Sequence, residues 1–195
     1  MSNKASFRQS HAHIPGLEKT TIGDFWSWAY SDIFMNSNRG VFAEFLVGTA
    51  LGALIQPRVE WDGKDLVYRD VNIEIKSSAY RQRWHDKEHK TSGPQFTIAT
   101  RYAWNAEIDR SSNEPIHDSS CFVFCLYANQ DLETGSKYVI DPAYWEFYAV
   151  LTRNLPDQKK INLGRLRQLC ADLGIGGPIQ FDEIKPTVDV LIDSL

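Results

Sequence analysis

The sequence is poor in cysteine and has no long hydrophobic run. Only three cysteines occur among 195 residues, an odd and low number that argues against a disulfide-stapled secreted domain and indicates a reducing compartment such as the cytoplasm. The longest apolar run, residues 45–55, covers 11 residues, which is too short to cross a bilayer. The first twenty residues contain no apolar core segment, so we expect no secretory signal.

Positive charge is not in excess either. Lys and Arg number 21 against 25 Asp and Glu, so the formal net charge is −4. This balance argues against a protein that holds nucleic acid by bulk charge, but it permits an enzyme with a local basic groove and a metal ion. The length predicts one domain. We divide it into a polar N-terminal arm (1–20), a catalytic core (21–152) and a small helical C-terminal extension (153–195).

The order of hydrophobic patterns predicts an α/β fold. Two helices come first, over 24–34 and 39–54, the second one capped within 36–38 and ended by Gln56-Pro57. The following segments are predicted as strands: 65–68, 72–77, 95–102, 121–128 and 145–151. Asn162 then caps a leucine-rich helix, and a last short segment ends over 188–192. Together these elements predict a mixed central β-sheet flanked by helices.

One acid-x-Lys triplet stands out from the five in the sequence. Such a triplet is nearly uninformative alone, because this composition gives about one by chance. Only Glu74-Ile75-Lys76 lies in a clear strand pattern, where Glu74 and Lys76 share one face of the sheet and Ile73 and Ile75 share the other. An acid and a lysine on one face can flank a metal-bound water.

Asp65 is the acid that we expect beside Glu74. If Arg69 and Asp70 form a two-residue turn, Asp65 lies opposite Glu74, with Cβ atoms about 4.5–5.5 Å apart. Arg-Asp is not a favoured pair for such a turn, so the register depends on it. Two carboxylates this close are costly unless a cation or a proton relieves the repulsion. A divalent ion does so, and oxygen ligands favour Mg²⁺ or Mn²⁺. Glu44, embedded in the apolar second helix, is expected to turn toward the same site.

This arrangement resembles a known enzyme family. Glu44 on a helix, Asp65 on one strand and Glu74-x-Lys76 on the next are similar to the PD-(D/E)XK nuclease superfamily, which has the restriction endonuclease-like fold. The likeness covers roughly residues 38 to 80. The segments 61–80, 122–127 and 145–148 resemble a bacterial branch of that superfamily. One departure is that Lys64 stands where the motif has proline.

The resemblance implies Mg²⁺-dependent hydrolysis of DNA phosphodiester bonds by a metal-activated water, with Mn²⁺ as a substitute ion. It implies that Asp65, Glu74 and the Ile75 carbonyl bind the metal, and that Glu44 contributes directly or through water. Lys76 would orient the attacking water and offset charge on the phosphate. The plain structural alternative is a surface hairpin whose charges face solvent.

A second, weaker set of residues would contact the substrate. Residues 76–90 carry five basic and two acidic side chains, which suits an edge that follows a phosphate backbone, although a solvated charged loop explains them equally well. Gln95 reaches the site only if its strand lies next to that of Glu74. The substrate-binding candidates are Ser78, Arg81, Arg83, Gln95 and Arg101. The pair His85 and His89 is more simply a solvated pair than a metal site.

Two rival functions stay open on the sequence alone. The first rival is a catalytically silent member of the same fold that binds nucleic acid or joins a complex. The second is a hydrolase for a small phosphorylated molecule. The sequence also leaves open a homodimer, an additional protein partner that supplies specificity, and the choice between DNA and RNA. No membrane partner is expected.

Overall fold

The protein is described here from a computed structural model covering residues 6–59, 64–83, 91, 93–100, 118–131 and 133–195, with the backbone of 104–105 and 110–111. Its helices are α1 (Ile22–Tyr30), α2 (Asn36–Leu51), α3 (Leu163–Asp172) and α4 (Ile184–Asp193). Its strands are β1 (His13–Ile14), β2 (Leu17–Thr21), β3 (Leu66–Tyr68), β4 (Val71–Ala79), β5 (Gln95–Thr97), β6 (Trp104–Asn105), β7 (Arg110–Ser111), β8 (Cys121–Tyr127), β9 (Trp145–Leu151) and β10 (Lys160–Asn162). Within these ranges, no helix is both long and apolar enough to cross a membrane.

A four-stranded mixed sheet forms the centre of the molecule, in the order β3-β4-β8-β9. Strands β4 and β8 are parallel, whereas β3 with β4 and β8 with β9 are antiparallel. All seven residues of β8 are buried, as expected for an uncharged strand with neighbours on both sides and cover on both faces. The predicted α/β class, with a mixed central sheet flanked by helices, is therefore confirmed.

Helices cover both faces of this sheet. On one face, α2 and α4 pack against Ile73 and Ile75 of β4 and the residues next to them on β8 and β9. On the other face, α3 and β5 pack around Phe122 and Phe124. The residues after 152, predicted as a small extension, thus supply one helix to each face of the central sheet.

The β3–β4 hairpin has the predicted register. Positions 66, 67 and 68 pair with 73, 72 and 71, which leaves Arg69 and Asp70 as the two turn residues. Both have positive φ, 51° and 62°, as a type I′ turn requires. Arg69 also forms ion pairs with Asp189 at 3.3 Å and Asp193 at 2.6 Å on α4. The turn residues are unusual for this geometry, and contacts with α4 hold one of them in place.

The predicted limits of α2 are wrong at both ends. Met35 is the N-cap residue and makes no side-chain bond to the helix, so the cap is not at 36–38. Asn36 is engaged instead by Arg39, whose guanidinium donates to its side-chain oxygen at 2.6 Å. The helix stops at Leu51 because Gly52 adopts φ 67° and closes the last turn, a left-handed conformation that glycine adopts at little cost.

The strand predicted over 95–102 is shorter in the structure. Strand β5 ends at Thr97 and pairs antiparallel with β10. Strand β4 already has β3 and β8 as hydrogen-bonded neighbours, so it offers no edge to β5. Strand β5 nevertheless lies close to β4, on the face of the sheet formed by Phe122 and Phe124, so a place for Gln95 near Glu74 stays a prediction. The last segment, 188–192, lies within helix α4.

Candidate functional site

Glu74 and Lys76 form the centre of the candidate site. Glu74 is buried, with 4% of its surface exposed, and the Lys76 ammonium makes a salt bridge with its Oε1. The Ser119 hydroxyl, which precedes β8, lies 3.5 Å from Glu74 Oε2. Ile75 packs on the opposite face with α2. The strand period thus anchors the apolar residue in the core and places the acid and the lysine together on the other face.

Asp65 directly precedes β3 and lies beside Ile75 of β4. Its Oδ2 accepts a hydrogen bond of 2.6 Å from the backbone N–H of Ile75. That N–H lies beyond the last backbone pair of the hairpin, which joins Leu66 to Ile73. The carboxylate therefore continues the hairpin contact where the strand pairing stops. It reaches the backbone between Glu74 and Lys76.

Glu44 approaches the site from the middle of α2. Its side chain is 14% exposed and is held by the Arg58 guanidinium, with Nε–Oε2 at 2.5 Å and Nη2–Oε1 at 2.9 Å. Burial raises the pKa of Glu44 above its usual value, and the negative charge of Asp65 adds to this, while Arg58 and Lys76 act in the opposite direction. The charges of Asp65 and Lys76 thus act on Glu44 directly.

A cysteine next to these acids responds to the same charges. Cys125 is fully buried in β8 on the face that α2 covers. Its pKa lies well above the usual value because of burial first, and then because of the negative charges of Asp65 and Glu44. The negative charges of Asp65 and Glu44 thus both act on this buried thiol.

The three acids do not form a metal cluster in this structure. Within the described ranges, no group of three or more His, Cys, Asp or Glu side chains is arranged to hold a metal ion. Glu44 is engaged by Arg58, Asp65 by a backbone N–H, and Glu74 by Lys76. The donor set itself suits a hard cation, because carboxylate and carbonyl oxygens are the ligands that Mg²⁺ and Mn²⁺ prefer. Binding would require these carboxylates to exchange part of their present contacts for a metal.

The predicted substrate-binding residues differ in their exposure and in their contacts. Ser78 and Arg81 are buried, and among the residues that the structure describes Arg81 Nη2 finds no hydrogen-bond partner. Arg83 is exposed and pairs with Asp32 at 3.0 Å. Gln95 is exposed on β5. Arg101, like His85 and His89, lies outside the described residues.

Two residues of the site were not identified from the sequence. Arg58 follows Pro57 in the loop after α2, and Ser119 stands before the apolar run of β8. The sequence offers one weak signal for Arg58, since it is a lone basic residue in the loop that follows an apolar helix. Nothing local to Ser119 distinguishes it from other serines, because its contact with Glu74 depends on the parallel pairing of β4 and β8.

Comparison of the chain with family models, with curated proteins and with solved structures returns no match. Any assignment of function therefore depends on the residues of the site and on their geometry.

Proposed function

We propose that this protein is a metal-dependent phosphodiesterase that hydrolyses DNA, with a site of the PD-(D/E)XK nuclease type. The observation that supports this most strongly is the β3–β4 hairpin register. It brings the Asp65 carboxylate to the Ile75 backbone N–H, between the buried Glu74 and its partly exposed salt-bridge partner Lys76. Charged groups at the inner part of a sheet are costly unless they are used or paired. The three charged groups of Asp65, Glu74 and Lys76, gathered at one tripeptide, favour a functional site over a solvated hairpin.

Each residue has a distinct role in this proposal. Asp65, Glu74 and the Ile75 carbonyl would hold Mg²⁺ or Mn²⁺, with Glu44 as a further direct or water-mediated ligand. The ion, when bound, lowers the pKa of a bound water and offsets charge on the phosphate. Lys76, fixed by Glu74, donates hydrogen bonds that orient the attacking water and stabilise negative charge developing on the phosphoryl oxygens.

One observation favours a second candidate, a catalytically silent subunit that binds nucleic acid or joins a complex. Both carboxylate oxygens of Glu44 accept from the Arg58 guanidinium. An acid that is neutralised by a bidentate arginine has no need of a metal ion. In the active protein, Arg58 must release Glu44 for direct ligation, so the Arg58→Ala variant separates the two candidates. It should bind metal at least as tightly as wild type if the site is catalytic.

The direct test is a cleavage assay on supercoiled plasmid, linear duplex DNA and RNA with Mg²⁺ or Mn²⁺. We expect cleavage of DNA that EDTA abolishes and that Lys76→Ala reduces by about 10²–10³-fold. The matched control is Lys185→Ala, because Lys185 belongs to a second Glu-Ile-Lys triplet at the start of α4. It should leave cleavage unchanged. Cleavage that persists in Lys76→Ala, or the absence of cleavage together with the absence of metal binding, contradicts the proposal.

A further inference from the structure

Ser119 is a buried serine whose hydroxyl faces Glu74. Ser119 is 4% exposed, whereas Asp118 and Ser120 on either side are exposed, so its side chain points inward from a polar segment. The hydroxyl donates to Glu74 Oε2 at 3.5 Å, which is longer than an ideal O–H···O bond. Hydrogen bonds in active sites are often long before the ligand binds and shorten in the complex. The contact can therefore hold Glu74 once a ligand is bound.

The two carboxylate oxygens of Glu74 have different neighbours. The Lys76 ammonium forms a salt bridge with Oε1, and the Ser119 hydroxyl lies against Oε2. Each oxygen of an ionised carboxylate has about two lone-pair sites. Oε2 can therefore keep the hydrogen bond from Ser119 and still bind a cation, while the contact between Lys76 and Oε1 stays intact.

The backbone around Ser119 is held from both neighbouring strands of β8. On the β4 side, the Asn72 side chain donates to the Asp118 carbonyl at 2.9 Å, and the Asn72 carbonyl accepts from the Ser120 N–H at 3.0 Å. On the β9 side, the Thr152 hydroxyl donates to the Ser119 carbonyl at 2.6 Å, and the Thr152 N–H donates to the Ser120 carbonyl at 2.9 Å. These four bonds fix the place from which the Ser119 hydroxyl reaches Glu74.

We propose that Ser119 is a positioning residue, which holds Glu74 Oε2 in the orientation that binds a divalent cation, and that Thr152 holds Ser119 in turn. This role rests on the proposed function, since it requires Glu74 to be a metal ligand. Hydrogen-bond partners of ligating carboxylates fix the orientation of the ligand, and their loss typically costs about 10–100-fold in metal affinity. A serine with a purely structural role would change the stability of the protein and leave its metal affinity unchanged.

The test is a calorimetric titration of Mn²⁺ into the full chain and its variants. We expect Ser119→Ala to bind Mn²⁺ about tenfold more weakly than wild type. The matched control is Ser120→Ala, which removes an exposed hydroxyl one residue away and should bind like wild type. Thr152→Val removes the hydroxyl that holds the Ser119 carbonyl and keeps the size of the side chain, so it should weaken binding in the same direction but less. Circular dichroism shows whether each variant keeps the fold.

A double variant shows whether Ser119 acts through Glu74. Ser119→Ala added to Glu74→Gln should cause no further loss of Mn²⁺ affinity, because the carboxylate that Ser119 positions is already gone. In the cleavage assay, Ser119→Ala should raise the Mn²⁺ concentration that gives half-maximal cleavage by about tenfold. Its rate at saturating Mn²⁺ should stay close to that of wild type, whereas Lys76→Ala should not recover at any Mn²⁺ concentration.

The outcomes separate the role of Ser119 from the proposed function. Unchanged Mn²⁺ affinity in Ser119→Ala, together with weaker binding by Glu74→Gln, overturns the role of Ser119 alone. An equal loss in Ser120→Ala also overturns it, because the segment and not the hydroxyl would then matter, and so does a further loss in the double variant. No binding by wild type, or equal binding by Glu74→Gln, overturns both the role of Ser119 and the metal site.

Discussion

The chain contains the tripeptide Glu-Ile-Lys twice, at 74–76 and at 183–185, and the two copies have different structures. In β4, Glu74 and Lys76 share a face and form a salt bridge, with Glu74 buried. At the start of α4, Glu183 accepts from the Gln180 N–H at 2.7 Å, and Lys185 instead reaches Asp189 at 2.7 Å. The acid and the lysine therefore contact each other in the strand, whereas in the helix each of them contacts a different residue.

The difference follows from the period of the two elements. Residues i and i+2 lie on the same side of a strand, whereas a helix brings i and i+4 together. The isoleucine is buried in both copies, since each element places it toward the core. A short motif thus acquires chemical meaning only from the element that carries it, and only the first copy can present an acid and a lysine to one ligand.

The largest expected effect comes from truncating the buried isoleucine that the two copies have in common. Ile75→Ala and Ile184→Ala should each lower the free energy of unfolding by about 2–5 kcal/mol, because each leaves a cavity under α2 or α4. Urea unfolding at neutral pH measures both, with Val190→Ala as the exposed control. A cost near that of the control at either position would show that the isoleucine is not part of the packed core.

A smaller effect should separate structure from chemistry at Asp65. Asp65→Ala leaves the Ile75 N–H without its acceptor and should cost about 1–3 kcal/mol. Asp65→Asn keeps an oxygen acceptor, so it should be nearly neutral for unfolding while weakening Mn²⁺ binding. The pair is compared by urea unfolding and metal titration. Equal stability of the two variants would rule out a structural role for this hydrogen bond.

The hairpin turn offers a gain in stability rather than a loss. Asp70 has φ 62°, so Asp70→Gly should stabilise the protein by roughly 0.5–1 kcal/mol, because glycine adopts this conformation without a steric penalty. Thermal unfolding measures the gain. A decrease in stability would mean that the Asp70 carboxylate makes a contact worth more than the relieved strain.

The smallest effect concerns the pH dependence at Glu44. Its pKa is raised above the usual 4.5, chiefly by burial, so the folded state holds this proton more tightly than the unfolded state. The stability from this group is fully present below pH 4.5 and is lost as pH rises through the raised pKa. The free energy of unfolding, measured from pH 4.5 upward for wild type and for Glu44→Gln, should show this loss of stability in wild type only. Parallel stability curves would contradict it.

Sequence alone predicted the parts of this molecule that depend on local pattern. A two-residue turn at Arg69 and Asp70 predicted the hairpin register, and Asn162 caps α3 as expected, accepting from the Arg165 N–H at 2.8 Å. The uncharged run over 121–128 was correctly predicted as a strand, and β8 (Cys121–Tyr127) is buried at every position. In each case the residues that decide the structure lie within a few positions of one another.

The features that were missed depend on contacts between distant parts of the chain. The Arg58–Glu44 ion pair and the pairing of β5 with β10 join segments that no local pattern connects.

The most direct test of the central claim is a calorimetric titration of Mn²⁺ into wild type, Glu74→Gln and Glu183→Gln. The last variant is the matched control, since glutamine can keep the capping contact of Glu183. The account predicts binding to wild type and to Glu183→Gln, and an affinity at least about tenfold lower for Glu74→Gln. Equal binding by all three proteins, or no binding by wild type, would contradict a metal site at the β3–β4 hairpin.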